Sequence, residues 1–309
     1  MARPASTASE QLPVTSNLAG VLRPDEGMRY FSLGRPAAHP DLGLWVERYW
    51  SVRWDLPEGS TYLSSVLSHP ALHLSVESGD GPRHGFPMPA TLLHGVVTRR
   101  FDILLHGEGR VFGVKFRPGG FAAFTGQDVD GSRDMAGFTD RSVPLVDVLG
   151  ASAGAGGRAG AGDQDGVAEL QAAILAADED EARVALMDEF LLARRPTMAD
   201  PRYQQLLAVV GEMLADRSLT SVQAVTERFG LELRTLQRLF RSYVGVGPKW
   251  VLQRFRLQDA QLMLDAGEAD DLADLATTLG WFDQAHFTRD FRAVVGVPPR
   301  VYLSGRHPR

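Results

Sequence analysis

The sequence predicts an α+β multidomain protein, β-rich in its first half and all-α in its second. Three observations lead there. Short apolar runs broken by Gly, Pro and Asp fill residues 21–150; small side chains dominate 150–166; helical periodicity without strand signals follows. At 309 residues the chain also exceeds the roughly 250–300 residues at which single cores stop growing.

Taken in order, residues 1–20 are small, polar and aperiodic, and read as a disordered tail. Residues 21–150 form the β-rich domain. Its strands are expected at "TYLSSVLSH", "ALHLSVES", "TLLHGVVT", "FDILLHG" and "RVFGVKF", a spacing that suggests an antiparallel barrel or sandwich. "RPGG" at 117–120 places Pro and Gly where a type II turn needs a fixed and then a positive φ. Residues 151–165 hold too little apolar surface to bury and read as a linker.

Residues 166–200 are expected to form a helical connector. Leu170, Ile174, Leu175, Leu186, Phe190 and Leu191 form an apolar stripe within 165–193, and Pro196 ends it. Two readings are open for this acidic segment: a dimer seam, or a helix covering the barrel. Pro201 opens the last domain, 201–305, with Leu206, Val210, Met213 and Leu214 on one side of its first helix.

The apolar fraction of 44% suffices for a core in each half. No run reaches the ~18 apolar residues of a membrane span, and no basic-then-apolar leader opens the chain. Cysteine is absent, which excludes disulfides, thiolate nucleophiles and cysteine metal sites. A cytoplasmic protein without membrane contact is expected. The net charge of −6 hides a strong asymmetry. Residues 163–200 carry ten acids against three arginines, whereas 228–256 carry six Arg and one Lys against Glu232 alone. A local basic stretch matters more to a polyanion than the total does.

The decisive pattern is an internal repeat. "FGLELRTLQRLFRSYVGVGPKWVL" (229–252) echoes "LGWFDQAHFTRDFRAVVGVPPRVYL" (279–303): Arg238, Phe240, Arg241, Gly245, Val246 and Pro248 match Arg289, Phe291, Arg292, Gly296, Val297 and Pro299 at a constant offset of 51. Each copy follows a short helical segment ending in glycine, "SVQAVTERFG" or "DLADLATTLG". A short helix, a Gly turn and a second helix with basic residues make a helix-turn-helix.

Gly230 and Gly280 allow positive φ at the turn. Asp283 is a good N-cap, and Glu232 a poorer one in the first copy. Leu236, Leu239 and Phe240, like Phe287 and Phe291, share an inward face. Arg234, Gln237, Arg238 and Arg241 in one copy, and Gln284, His286, Thr288, Arg289 and Arg292 in the other, face out. Arg and Gln each make two hydrogen bonds to one purine edge, worth ~1–3 kcal/mol of discrimination. "KWVLQRFRLQDAQLMLDAG" supplies a connecting helix through Val251, Leu252, Phe255, Leu262 and Leu264.

These residues resemble the DNA-binding domain of the AraC/XylS family of bacterial transcription regulators, over about 205–304. The resemblance implies two recognition helices in successive major grooves of double-stranded DNA. Arg234, Gln237 and Arg238 then occupy base-reading places in the first helix, and Gln284, Ala285, His286, Thr288 and Arg289 in the second. Arg241 and Arg292 are expected at phosphates, and RNA polymerase is implied as a partner. Two departures stand out: Thr226 where a small Ala is usual, with Ala276 kept in the second unit, and Glu232 where a capping Ser is common.

"MRYFSLG", "HPDLGLWVERYW", "HPALHLSVESG", "GRVFGVKFRPGGF" and "DRSVPLVDVLG" are similar to an uncharacterised N-terminal domain of some family members. Analogy with family sensors implies a cupin-like barrel that binds a small-molecule effector or mediates homodimerisation, without naming the ligand.

Against these stand plainer readings. Two amphipathic core helices with solvated arginines leave the duplicated Gly turn and shared register unexplained. His286 as a catalytic base lacks a nucleophile and an orienting acid, since Asp290 four residues on makes an ordinary surface pair. The β-rich half holds His69, His73, His84, His94 and His106; without an H-x-H pattern no metal site is expected, although His69 and His73 suggest one strand face. Trp45, Tyr49, Trp50 and Trp54 read as core and rim packing, with an aromatic ligand pocket as the sharper reading. Trp50, His69, His73 and His94 are the weak ligand candidates. No cofactor and no enzymatic activity are expected. The competing class is a ligand-binding or enzymatic barrel with the helices as an adaptor; a DNA-repair methyl acceptor would need cysteine.

Overall fold

The computed structural model describes residues 20–126, 134–151, 161–269 and 271–304. Eight strands form two antiparallel sheets. The larger takes β1 (Phe31–Gly34), β2 (Val46–Asp55), β4 (His73–Gly79), β5 (Ala90–His94), β7 (Glu108–Phe116) and β8 (Ser142–Pro144), in the order β1-β2-β7-β4-β5-β8. The smaller pairs β3 (Thr61–Leu67) with β6 (Arg100–His106). The five strands expected from sequence are β3 to β7; β1, β2 and β8 are additional. The β-rich half is thus a pair of open sheets rather than a closed barrel.

Strand alternation divides the large sheet into two faces. Tyr49, Phe112, Val114, Leu74 and Val76 point to one side and join a core with helices. Arg48, Trp50, Trp54, Val111, Lys115, His73 and Glu77 line the other side, where Val66, Phe101, Ile103 and Leu105 of the small sheet close a cavity. Two glycines in β7 make room for the tryptophans. Trp50 pairs with Gly113 and Trp54 with Gly109, and a Cβ at either glycine would stand 2.2 or 2.1 Å from the facing indole. The "RPGG" turn forms as expected: the N–H of Gly120 donates to the Arg117 carbonyl at 2.7 Å, and Gly119 takes φ 77°.

Twelve α-helices complete the described residues. α1 (Pro24–Gly27), α2 (Gly120–Phe124) and α3 (Leu145–Ala151) are short; α4 (Ala161–Ala176) and α5 (Asp180–Leu192) cover the large sheet. The single stripe expected over 165–193 is therefore two helices. Acids at 178–181 favour a new helix start, where the macrodipole is positive. The Arg183 guanidinium donates to the Ala177 and Asp178 carbonyls at 2.7 and 3.0 Å just past the end of α4. Tyr49 and Ser51 donate hydroxyl bonds to Asp188 and Asp180 of α5, tying it to the sheet. Part of the expected linker, from Ala161, belongs to α4; 152–160 and the tail through residue 19 lie outside the described residues.

The rest is helical: α6 (Pro201–Ala215), α7 (Val222–Phe229), α8 (Leu233–Tyr243), α9 (Pro248–Ala266), α10 (Leu272–Thr278), α11 (Gln284–Val295) and α12 (Pro299–Ser304). The two halves do not keep separate cores. One apolar cluster runs from Leu42, Tyr49 and Phe116 through Tyr203 to Phe240 and Phe255. A second joins Leu22 and Leu67 to Trp281, Phe287 and Phe291.

Candidate nucleic-acid interface and sensor cavity

Each helix-turn-helix is built from its local sequence. Ser221 caps α7 by accepting from the Ala224 N–H at 3.1 Å, and Gly230 ends it at φ 61°. Glu232 precedes α8 without a side-chain cap. Leu236, Leu239 and Phe240 are buried, which turns Arg234, Gln237, Arg238 and Arg241 outward to exposure. In the second unit Asp283 accepts from the His286 N–H at 2.6 Å, and Phe287 and Phe291 are fully buried. Ala285, Arg289 and Arg292 are exposed; Gln284, His286 and Thr288 are partly so. Thr226, at its departure position, donates to the Gln223 carbonyl at 2.7 Å and stays half-buried, whereas Ala276 is fully buried.

His286 Nε2 stands 3.4 Å from Asp290 Oδ2, the surface pair expected from the spacing. That carboxylate also accepts from Trp281 Nε1 at 2.9 Å, so it helps hold the helix to its core. Not all the basic charge of 228–256 faces outward. Arg254 is 2% exposed, donates to the Thr98 carbonyl at 2.7 Å and lies over Trp250. Burial lowers its pKa to about 10. Arg256 stacks on Trp281 and donates to the Leu279 carbonyl at 2.6 Å. These two arginines are structural.

Sequence reasoning passed over Phe282, which is 93% exposed immediately before α11 and its Asp283 cap. Its position beside the Asp283 cap was visible, but its exposure depends on the turn's tertiary placement. Asp134 was also missed: it pairs with Arg241, joining α8 to the β-rich half.

The cavity, about 230 Å³, brings together all four weak ligand candidates, Trp50, His69, His73 and His94, with Arg35, Arg48, Lys115, Glu77 and His84. Trp54 also lines it, whereas Trp45 and Tyr49 are buried in the core on the opposite side of the sheet. Among the described residues, Arg35 Nε and Trp50 Nε1 are buried without a hydrogen-bond partner. Burial, with Arg48 adding repulsion, lowers the Arg35 pKa to about 10. Burial also lowers Lys115 to about 8, although Glu47 accepts from its ammonium at 2.9 Å, because Arg48 and Arg35 stand close. His73 is held neutral by burial and Lys115, its pKa lowered to about 3. Glu77 stays ionised despite burial, because His84 and His94 hydrogen-bond it.

Residues 225–305 match the family model described as a helix-turn-helix domain, and residues 35–138 match a domain of unknown function, DUF6597. The HTH-type transcriptional activator RhaS of Escherichia fergusonii is 34% identical over 107 residues, covering 35% of this chain and 37% of that protein. RhaS of Escherichia coli O139:H28 is 33% identical over 129 residues, covering 40% and 45%. The chain thus spans less than half the length of these curated relatives. ToxT from Vibrio cholerae aligns with a TM-score of 0.38 at 10% identity, over 89% of this chain and 98% of that one, too distant to bear on the site. No described helix is long and apolar enough to cross a membrane.

Proposed function

We propose that the chain, whose residues 225–305 match a helix-turn-helix domain, is a sequence-specific DNA-binding transcriptional regulator of the AraC/XylS type whose N-terminal domain senses a small molecule. The observation that carries this reading is the duplicated pair of helices. Each buries an apolar face and turns polar side chains outward, with Arg238 and Arg241 in the same register as Arg289 and Arg292. α9, the helix joining the two units, has 19 residues and is about 28 Å long at the helical rise. That approaches the ~34 Å between successive major grooves.

Arg234, Gln237, Arg238, Gln284, Ala285, His286, Thr288 and Arg289 are proposed to face bases, and Arg241 and Arg292 phosphates. The effector is proposed to enter the cavity between the sheets. Arg35 and Trp50, with unsatisfied N–H groups, favour a ligand carrying hydrogen-bond acceptors. RNA polymerase and a second copy of the chain are proposed partners, the latter through no described interface.

The test is a gel shift with the full chain against genomic fragments, followed by Arg238→Ala and Arg289→Ala. Each substitution is expected to weaken specific binding about 5- to 150-fold and relax preference at one base pair, from ~1–3 kcal/mol per lost bidentate contact. Unchanged specific affinity in both would overturn the base-reading assignment.

A further inference from the structure

Three side chains on the cavity wall are arranged in a way that neither DNA binding nor core packing requires. Glu77 Oε1 lies 3.5 Å from His84 Nε2 and 3.3 Å from His94 Nε2. The three ligand-type atoms all fall within 4.8 Å of one another. Two atoms bound to one tetrahedral ion at ~2.0–2.1 Å stand about 3.3–3.4 Å apart, so both measured edges match such a polyhedron. The third edge, at most 4.8 Å, closes with a relative shift of up to about 1.4 Å shared between the two imidazoles.

The surrounding groups hold these atoms as ligands. His94 Nδ1 is 2.8 Å from Ser142 Oγ. Once Nε2 gives up the proton it shares with Glu77, donation of Nδ1–H to that oxygen leaves the Nε2 lone pair for an ion, the outer-shell pattern of metal-bound histidines. Arg83, itself buried, donates from Nε to Glu77 Oε2 at 3.1 Å and from Nη2 to the Ser78 carbonyl at 2.8 Å. The carboxylate is thereby oriented with Oε1 towards the imidazoles. Ser75 Oγ, 2.6 Å from Glu77 Oε1 and 2.7 Å from His94 Nε2, adds an oxygen at the same point. His84 takes φ 53°, a left-handed conformation costly for a side-chain-bearing residue, and its ring stacks on Phe101 at 5.7 Å. Strained backbone thus presents this imidazole to the cluster.

We propose that Glu77, His84 and His94 bind one divalent first-row transition-metal ion, with zinc as the type, and leave a coordination position open to the cavity. Two imidazoles and one carboxylate are a borderline N/O donor set that suits such ions rather than calcium or magnesium. Arg83 offsets the one carboxylate charge, so the open position favours an anionic ligand, hydroxide or a carboxylate, supplied from the cavity side. A second opening, lined by His84, His94, Arg100 and Asp140, gives the ion a route from solvent. This site does not depend on the DNA-binding reading and can be tested without DNA.

The test loads the metal-free full chain with Co²⁺ and with Zn²⁺. One ion per chain is expected, with a visible Co²⁺ ligand-field spectrum of low-coordinate N/O type. Glu77→Gln and His94→Ala are expected to weaken binding at least 100-fold, and Ser142→Ala about 10- to 100-fold. His106→Ala, at an exposed imidazole outside the cluster, is expected to bind as the wild type does. In wild-type chain labelled at histidine, Zn²⁺ is expected to shift two of the eight imidazoles strongly, a readout independent of whether the variants fold. Absence of stoichiometric binding by the wild type overturns the proposal. So does wild-type affinity in Glu77→Gln, or binding that survives there and is lost in His73→Ala.

Discussion

Arg241 and Arg292 occupy equivalent places in the two copies, yet their surroundings differ. Both are exposed, but Arg241 pairs with Asp134 across to the β-rich half. If both meet phosphates, replacing either by alanine weakens binding to all sequences alike. It also lowers the magnitude of the salt slope by about 1, read from affinities over a salt series. Lys115 allows a separate prediction. Its folded pKa, about 8, lies below that of an unfolded lysine, so between pH 8 and 10.5 the unfolded chain binds more protons. Stability therefore rises with pH through that window, by at most about 1.4 kcal/mol per unit. Urea unfolding at pH 8 and 9.5 is expected to show a gain of roughly 1–2 kcal/mol in the wild type that Lys115→Met lacks.

At the scale of elements, β7 determines the shape of the cavity. Its small residues, Gly109 and Gly113, let Trp54 and Trp50 lie across the strand. A methyl group at residue 113 would meet the Trp50 indole at 2.2 Å and drive it towards the cavity. Gly113→Ala is expected to destabilise the fold by ~1–3 kcal/mol, measured by urea unfolding, and to weaken any ligand of the cavity. The helices obey a simpler rule. Where apolar side chains recur at helical spacing and a capping residue precedes them, as in Asp283-Gln-Ala-His-Phe, the element forms where expected. Where two acids interrupt the run, as at Asp178-Glu179, one expected helix becomes two.

In the whole molecule the two helix-turn-helix units are held against the β-rich half. Gln258 donates to the Leu67 carbonyl at 3.1 Å, and Arg254 to that of Thr98. Arg100 Nη1 donates to the carbonyl of Val295, the last residue of α11, at 2.7 Å. Arg100 is the neighbour of Phe101, which stacks on His84 and lines the cavity. A ligand that moved His84 would have a short covalent and hydrogen-bonded path to α11. If Arg241 meets a phosphate, the Asp134–Arg241 pair competes with DNA for the same guanidinium. Asp134→Asn is expected to raise DNA affinity roughly two- to fivefold at low salt, the range of one exposed ion pair, with the gain fading at high salt.

The sequence by itself determined both helix-turn-helix units. Their information is local: a cap, an apolar face at helical spacing, a glycine at positive φ and a polar remainder, repeated at an offset of 51. It also indicated that the first half is β-rich, because Pro, Gly and alternating apolar runs act over a few residues. Only the tertiary structure decided what those faces meet. Glu77, His84 and His94 come from β4, the turn after it and β5, and converge by strand pairing that no short window encodes. The same holds for Asp134 against Arg241 and for Arg254 inside the shared core. Periodicity tells which side of a helix avoids water, but the partner that covers it is chosen by packing across distant parts of the chain.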